Sequence, residues 1–245
     1  MLTILKIKVI SYTILYIFLL PYIYFLKLFK DEKYIKTFAH NLAKKWGLNA
    51  IKWSNTNVKL IGAENLPNHP VVIISNHQAH FDIMLLFGFT GLSPSFIAKK
   101  ELGRIPLFAT WMKILGCIFI DRSSARKALA SFQEGAKKIK NGQTIIIFPE
   151  GTRRKEILPF KKGSFKLPIM AEVPILPITI IGSENIVENV KKNKPTDVTI
   201  VISPEVNIHQ MDKDQLKNIH TEIRDLIVSN FEKYSEKSQS ELIED

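Results

Sequence analysis

Residues 71–82 read Val71-Val-Ile-Ile-Ser-Asn-His-Gln-Ala-His-Phe-Asp82, an apolar run that breaks abruptly into amide, imidazole and carboxylate groups. The β-branched residues Val71 to Ile74 are typical of a short strand buried on both faces of a parallel sheet. Apolar residues resume from Ile83 to Phe87 and indicate a helix directly after the polar loop. This order predicts an α/β sheet, and open sheets of this class bind ligands at the carboxyl ends of their strands.

His77 and Asp82 are the candidate catalytic pair in this segment. On one regular helix their spacing would rotate them about 140° apart, so they can meet only if His77 lies on the loop and Asp82 in the first helical turn. Asp82 would then accept the Nδ1 hydrogen of His77 and leave Nε2 free as a base. The spacing also occurs by chance, and a histidine at a strand end is often an ordinary loop residue.

A second polar segment, Phe148-Pro-Glu-Gly-Thr-Arg153, follows another apolar run, Thr144 to Ile147. Two such segments at the ends of buried strands indicate one shared pocket. Arg153 is the first candidate for binding an anion there because a guanidinium makes bidentate contacts with phosphate oxygens. Gly151 beside it allows close approach of the backbone.

Together these segments resemble the glycerolipid acyltransferases, specifically the 1-acyl-sn-glycerol-3-phosphate acyltransferases. The resemblance covers roughly residues 58 to 182 and rests on four blocks in the family's order. They are Asn76 to Asp82, with the pattern Asn-His-x-x-x-x-Asp; Gly116 to Arg122, preceded by Lys99 to Leu102; Phe148 to Arg153; and Val173 to Ile178. The ordered set is far more specific than any one block, and His80 falls in a variable position of the first.

The resemblance implies transfer of an acyl chain from acyl-coenzyme A or acyl-acyl carrier protein to the sn-2 hydroxyl of lysophosphatidic acid, which gives phosphatidic acid. An acyl thioester is already activated, so we expect no covalent enzyme intermediate and no cofactor. A base that deprotonates the attacking hydroxyl is sufficient. Imidazole titrates near neutral pH, so His77 suits that role, and Asp82 would orient it without taking the proton.

The phosphate of such an acceptor requires cations that keep their charge. On sequence alone Lys100 and Arg122 are ordinary surface charges, and the resemblance adds them to the site. The expected phosphate-binding set is Arg153, Lys100, Arg122, Gly151 and Thr152, supported by Asn76 and by Glu150, which would hold Arg153 or receive a glycerol hydroxyl. Candidate donors to the reaction's oxyanion are the backbone amides after Val173-Pro174 or around Gly151.

The 245 residues carry a formal net charge of +11, which implies an anionic partner such as a lipid surface, a phosphorylated substrate or nucleic acid. Nucleic acid is not expected, because no nucleic-acid-binding motif appears and the basic residues are not interleaved with aromatic residues in repeats. The single cysteine, Cys117, excludes an intrachain disulfide and a cysteine-rich metal site.

The N-terminal region predicts membrane association. Val9 to Leu26 is uncharged and apolar, near the lower length for a membrane span, and Pro21 would kink a helix there. Tyr34 to Ala50 predicts an amphipathic helix that lies on an anionic membrane surface or packs on the catalytic domain, with a polar face of Lys36, His40 and Lys44. The resemblance favours monotopic anchoring, and we expect the cytoplasmic face of the inner membrane; a single span is the alternative.

Strands alternate with helices along the rest of the chain, which predicts a mostly parallel mixed sheet flanked by helices. The expected division is residues 1–56 as anchoring helices, 57–234 as the acyltransferase catalytic domain and 235–245 as a disordered acidic tail. One helix, from Ser123 or Ser124 to about Lys140, is expected to turn four residues inward, namely Leu129, Phe132, Ala136 and Ile139.

Three other functions fit parts of the pattern. His77, His80 and Asp82 form a compact His-x-x-His-x-Asp set that could bind a metal in a hydrolase, although no further His or acidic cluster completes the shell. An acyltransferase acting on glycerol-3-phosphate or another lysophospholipid needs the same His77 and Asp82. A membrane-bound scaffold that binds anionic lipid without catalysis needs neither.

Overall fold

The computed structural model describes residues 1–121 and 123–241. Within them a seven-stranded sheet has the order β1-β7-β6-β2-β5-β3-β4. The strands are β1 (Thr56–Ile61), β2 (Val72–Ser75), β3 (Ser95–Lys99), β4 (Ile118–Ile120), β5 (Ile145–Ile147), β6 (Ile175–Ile181) and β7 (Thr196–Ile202). The helices are α1 (Leu2–Phe18), α2 (Leu20–Leu26), α3 (Glu32–Trp53), α4 (Phe81–Phe89), α5 (Phe108–Ile114), α6 (Ala125–Lys140), α7 (Lys166–Ala171), α8 (Ile186–Lys191) and α9 (Lys213–Glu241).

The sheet is mixed but mostly parallel. Strand β2 pairs in parallel with β5 and β6, β3 pairs in parallel with β4 and β5, and β1 pairs in parallel with β7. The pairing of β6 with β7 is antiparallel. The predicted fold class is therefore confirmed, and β2 lies at the centre of the sheet with its carboxyl end beside those of β5 and β6.

Helices cover both faces of the sheet, which explains why the β2 segment is apolar throughout. Val71 and Ile73 pack in one core with residues of α3, α4 and α8. Val72 and Ile74 point to the other face and pack with residues of α6, α7 and α9. Successive side chains of a strand point to opposite faces, so a strand covered on both sides needs apolar residues at every position.

Helix α6 begins as the sequence predicts, because Ser124 is its N-cap and accepts a hydrogen bond from the Lys127 N–H at 3.3 Å. Ala136 and Ile139 are buried in the second half of the helix. Leu129, which was expected to face the core, is instead 42% exposed. It lies on the same face as Ala136, but in the first half of the helix, where the residues from Arg126 to Phe132 are half-buried or exposed.

The N-terminal helices pack on the catalytic domain through α3. Pro21 stands in the first turn of α2. The helical hydrogen bonding is interrupted between α1 and α2, as expected from a proline, which has no N–H to donate. Gly47 of α3 lies so close to α4 that a Cβ there would be 2.4 Å from the Met84 carbonyl oxygen.

His40 of α3 is buried, and its Nδ1 hydrogen-bonds to the Lys36 carbonyl oxygen at 2.8 Å. Its placement on an exposed polar face was wrong, because α3 has a neighbour on each side, α1 and α4.

Helix α9 continues to Glu241, beyond the end near Tyr234 that the sequence predicts. Residues 235–241, predicted as part of a disordered tail, are therefore helical; Glu, Lys and Gln in this stretch are good helix formers. The rest of that predicted tail, residues 242–245, lies outside the described residues.

Candidate active site

The structure brings His77 and Asp82 together at the carboxyl end of β2. His77 lies on the loop after the strand, and Asp82 lies in the first turn of α4. His77 Nδ1 is 2.8 Å from Asp82 Oδ2, with the two side chains 11% and 0% exposed. A carboxylate only accepts hydrogen bonds, so Nδ1 carries the hydrogen and neutral His77 keeps a lone pair on Nε2.

The Asp82 carboxylate is held by three further donors. Its Oδ2 accepts the backbone N–H groups of Gln78 at 2.8 Å and Ala79 at 2.9 Å. Its Oδ1 accepts the hydroxyl of Ser183 at 2.5 Å. The N-terminus of α4 adds a favourable dipole for a negative charge. These contacts fix the direction in which the fully buried carboxylate meets His77.

The sequence analysis missed Ser183. It follows β6, which lies beside β2, and it is completely buried. The chain turns at Gly182, whose φ of 89° favours glycine, and a Cβ there would lie 2.5 Å from the Asp197 carbonyl oxygen. The strand-end argument that found the first two polar segments also applies to Ser183-Glu184-Asn185. Burial raises the pKa of neighbouring Glu184, and the negative charge of Asp82 adds to that effect.

The segment Phe148 to Arg153 lies against His77. The ring of Phe148 stacks on the imidazole with 3.9 Å between the ring centroids and 14° between the planes. Glu150 Oε1 accepts the backbone N–H of His77 at 2.8 Å, and Oε2 accepts that of Leu158 at 3.0 Å. The expectation that Glu150 holds Arg153 was therefore wrong: its carboxylate instead joins the His77 loop to the loop after β5. Burial raises the pKa of Glu150, and these two N–H donors oppose that rise.

Asn76 connects β2 to β6 at the base of the site. Its Nδ2 donates to the Ile180 carbonyl oxygen at 2.7 Å, and its Oδ1 accepts the Ile180 N–H at 2.9 Å. The side chain is completely buried. Asn76 thereby replaces a backbone pairing where β2 ends, and it fixes the start of the His77 loop.

Arg153 lies beside the first polar segment, as the shared-pocket prediction requires. Its Nη1 donates to His80 Nδ1 at 2.9 Å, and both Arg153 and Thr152 are exposed. Partial burial lowers the pKa of His80, and the Arg153 charge lowers it further, so the neutral ring that accepts this hydrogen bond is favoured. The φ of Gly151 is 71°, a conformation that suits glycine.

Lys100, in the second cationic block, is already paired with a carboxylate of the protein, so its charge is less available to a substrate phosphate. Lys100 Nζ forms an ion pair with Asp121 Oδ2 at 2.8 Å, and Lys127 Nζ lies 3.7 Å from the same oxygen. The Lys100 ammonium and the hydrogen bonds from Ser123 hold the pKa of Asp121 well below its usual range. Arg122, the other cation predicted in this block, lies outside the described residues.

Of the two predicted sources of an oxyanion donor, the amides after Val173-Pro174 do not fit the geometry, and in the second source the N–H of Gly151 itself is already bonded. β6 runs parallel to β2, and Val72 N–H donates to the Pro174 carbonyl oxygen, so Val173 and Pro174 lie at the opposite edge of the sheet from His77. The Gly151 N–H already donates to the Phe148 carbonyl oxygen at 3.1 Å.

The metal-site hypothesis requires His77, His80 and Asp82 to converge on one ion. His77 Nδ1 and Asp82 Oδ2 bond to each other, whereas His80 Nδ1 faces the Arg153 guanidinium. Among residues 1–121 and 123–241 no group of three His, Cys, Asp or Glu side chains is arranged to hold a metal ion. The donor set of this site therefore does not favour a metal centre.

Comparison with protein families places this arrangement in a known group. Residues 57–181 match the family model described as Acyltransferase. The chain belongs to the acyltransferase family. The match begins within β1, ends with β6 and includes both polar segments. The resemblance stated from the four sequence blocks is therefore confirmed, and the protein is an acyltransferase enzyme.

Individual relatives agree with the family match. The chain is 35% identical over 182 residues to the 1-acyl-sn-glycerol-3-phosphate acyltransferase of Borreliella burgdorferi, covering 71% of this chain and 72% of that protein. It is 35% identical over 180 residues to the probable enzyme of the same name in Mycoplasma pneumoniae, covering 66% and 67%. The yeast (Saccharomyces cerevisiae) enzyme of that name is 30% identical over 178 residues, which cover 70% of this chain and 58% of the yeast protein.

A solved structure extends the likeness to almost the whole chain. The crystal structure of the 1-acyl-sn-glycerophosphate (LPA) acyltransferase PlsC from Thermotoga maritima superposes with a TM-score of 0.77 at 25% identity. The superposition covers 95% of this chain and 96% of that one. It therefore includes the N-terminal helices as well as the sheet.

Proposed function

We propose that the protein transfers an acyl chain from acyl-coenzyme A or acyl-acyl carrier protein to the sn-2 hydroxyl of lysophosphatidic acid, forming phosphatidic acid. The observation that carries this proposal is the 2.8 Å bond from His77 Nδ1 to Asp82, which leaves Nε2 as a base. The names of the relatives, 1-acyl-sn-glycerol-3-phosphate acyltransferases, support the choice of acceptor.

The proposed reaction needs only one proton relay. The sn-2 hydroxyl oxygen attacks the thioester carbonyl carbon while His77 Nε2 takes its proton, and the buried Asp82 carboxylate stabilises the imidazolium. The tetrahedral intermediate then collapses, the carbon–sulfur bond breaks, and the thiolate takes the proton back from His77. Products are phosphatidic acid and the free thiol, and Asp82 does not itself take the proton.

The acceptor assay tests the proposal directly. Purified protein in detergent receives labelled acyl-coenzyme A or acyl-acyl carrier protein with lysophosphatidic acid, glycerol-3-phosphate or lysophosphatidylcholine in parallel. The expected labelled product is phosphatidic acid from lysophosphatidic acid alone. Transfer only to glycerol-3-phosphate or to lysophosphatidylcholine would overturn the acceptor assignment while keeping the acyltransferase.

We also propose that the N-terminal helices attach the enzyme to the membrane. Leu2–Leu26 is apolar and long enough to cross a bilayer, and little of it is buried against the protein. Large apolar side chains are exposed along α1 and α2, among them Ile4, Ile7, Ile10, Phe18 and Phe25. Exposure of so many apolar residues is unfavourable in water and favourable in lipid.

Replacing Arg153 with Ala should raise the KM for lysophosphatidic acid by about 10- to 100-fold, because a charge-assisted hydrogen bond contributes about 1.5–3 kcal/mol. The kcat should change much less, since Arg153 is assigned to the phosphate and not to the reacting atoms. Steady-state kinetics with varied acceptor measure both constants. The matched control is Arg154→Ala, which removes a neighbouring exposed guanidinium. An unchanged KM in Arg153→Ala would contradict its assignment.

Replacing Ser183 with Ala should lower kcat about tenfold, because Asp82 Oδ1 loses a hydroxyl that holds the carboxylate in its direction toward His77, and small misplacements of a catalytic group are costly. The carboxylate left with fewer donors is more basic and stabilises the imidazolium more strongly. The acid limb of the kcat/KM profile should therefore move to higher pH. Ser183→Thr, which keeps the hydroxyl, should retain the original profile.

The control for Ser183 is Ser203→Ala, which removes another buried serine hydroxyl, one that accepts from Asn230 Nδ2 at 3.0 Å. Ser203→Ala should leave the pH profile in place. If Ser183→Ala changes only the melting temperature, the serine supports folding and does not position Asp82.

A further inference from the structure

The segment between β3 and α5 exposes several large apolar side chains that are neighbours in sequence. Leu102, Ile105, Leu107 and Phe108 are 36%, 50%, 53% and 37% exposed, and we call them the β3–α5 patch. Single exposed apolar residues are ordinary on protein surfaces, whereas a group of them marks an interaction surface.

The backbone under the patch is well defined. The Ala109 N–H donates to the Ile105 carbonyl oxygen at 2.9 Å, and the Trp111 N–H donates to that of Leu107 at 3.0 Å. Leu107 has a φ of 40°, which is rare for a residue with a Cβ. The exposed side chains are therefore presented by ordered backbone next to a helix whose inner face, including Met112, is buried.

The helix that follows the patch packs against the proposed membrane anchor. Trp111 of α5 packs with Leu20 and Ile23 of α2, and its Nε1 donates to the Tyr16 carbonyl oxygen of α1 at 2.8 Å. The patch is also flanked by two exposed cations, Arg104 and Lys113. Exposed apolar side chains with basic residues beside them in sequence suit the interface of an anionic bilayer.

We propose that the β3–α5 patch is a second membrane contact, and that its partner is the same anionic lipid bilayer that holds α1 and α2. The inference rests on the membrane attachment proposed above. Strand β3 runs parallel to β5, and β5 runs parallel to β2, so the segment that leaves β3 begins at the same edge of the sheet as His77. The contact holds that edge against the lipid, and a lysophospholipid reaches His77 without leaving the bilayer.

Site-directed fluorescence tests the contact. The native Cys117 is buried and burial raises the pKa of its thiol to about 12, so a thiol-reactive dye labels an introduced exposed cysteine selectively. Full-length Ile105→Cys, Ile10→Cys and Leu129→Cys are labelled and reconstituted into vesicles of phosphatidylglycerol and phosphatidylcholine. Some of the lipids carry a nitroxide quencher on the acyl chain near the glycerol.

The expected result is strong quenching at positions 105 and 10 and none at 129, an exposed leucine of α6. Quenching at 10 but not at 105 overturns the second contact and leaves the proposed anchor intact. Quenching at neither position removes both proposals. Quenching at 129 to the same extent as at 105 also overturns the inference, because the signal then reports general proximity.

Activity gives an independent readout. In Ile105→Ser/Phe108→Ser, transfer to long-chain lysophosphatidic acid in vesicles should fall about tenfold, while transfer to a short-chain, water-soluble analogue should be unchanged. The control Leu129→Ser/Leu226→Ser removes two exposed leucines elsewhere and should behave as wild type on both acceptors. An equal loss on both acceptors from the patch variant shows that the patch binds substrate or supports folding, and overturns the inference.

Discussion

Replacing His77 with Ala should lower the rate of acyl transfer by about 10³- to 10⁴-fold. Positioned general bases contribute about 10²–10⁴ to a rate. Among the described residues no other imidazole is bonded to Asp82 and able to take over as the base. The fold should persist, since Asp82 keeps the N–H groups of Gln78 and Ala79 and the hydroxyl of Ser183. The measurement is initial rate with lysophosphatidic acid, together with the melting temperature of each variant.

The partner substitution is best made as Asp82→Asn. Three N–H donors converge on Oδ2, so the asparagine oxygen takes that position and its amide nitrogen faces the Ser183 hydroxyl, which can turn to accept. His77 then keeps its tautomer and loses only the nearby charge, and the rate should fall about 10²-fold with little loss of stability. Asp82→Ala is a poorer test, because it leaves the N–H groups of Gln78 and Ala79 without their acceptor at a cost of about 1–3 kcal/mol each.

The control for these variants is His69→Ala, which removes an exposed histidine that pairs with Glu205 at 2.9 Å. It should transfer acyl chains at the wild-type rate. Full activity in His77→Ala would end the general-base proposal and favour a different base. Folding that fails in His77→Ala would be visible in the melting temperature, and Asp82→Asn would then carry the test.

The centre of the sheet was predictable because its signals are local. Strand β2, the loop and the first turn of α4 follow one another in sequence, so the geometry that joins His77 to Asp82 is contained within one short segment. The Phe148 to Arg153 segment was predictable by the same argument applied to β5. Both predictions depend only on where apolar runs end.

The partners of this pair were not predictable, because they depend on the order of strands. Ser183 reaches Asp82 only because β6 lies next to β2, although the two residues are 101 positions apart in the chain. Glu150 was assigned to Arg153, its neighbour in sequence, whereas it bonds to the backbone of His77 across 73 positions. Sequence spacing suggests hydrogen-bond partners that are close in the chain, whereas in the fold Asp82 and Glu150 bond to residues that are distant in the chain.

Helix α3 shows a related limit. Its periodicity correctly predicts an amphipathic helix, but periodicity does not identify which surface covers each face. Burial of His40 follows from the packing of α3 against α4, and Gly47 permits that close approach. Gly47 is visible in the sequence, but that it faces α4 is known only from the fold.

Replacing Glu150 with Gln should destabilise the protein by about 1–3 kcal/mol, although the two side chains have nearly the same shape. Both carboxylate oxygens accept backbone N–H groups, one from His77 and one from Leu158. Glutamine has one oxygen, so its amide nitrogen must face one of these N–H groups, and two donors then oppose each other. Denaturant unfolding measures the change in the free energy of unfolding.

The same substitution should lower acyl transfer by about 10- to 100-fold, because the His77 backbone loses the bond that fixes it to the loop after β5, and small misplacements of a catalytic group are costly. The matched control is Glu156→Gln, the same change at an exposed position of that loop, which should alter neither stability nor rate. If Glu150→Gln is as stable as wild type but loses activity, the Glu150 carboxylate acts on the substrate itself, as a group receiving the glycerol hydroxyl would. If it loses stability and keeps its rate per folded molecule, the bond to His77 supports only the fold.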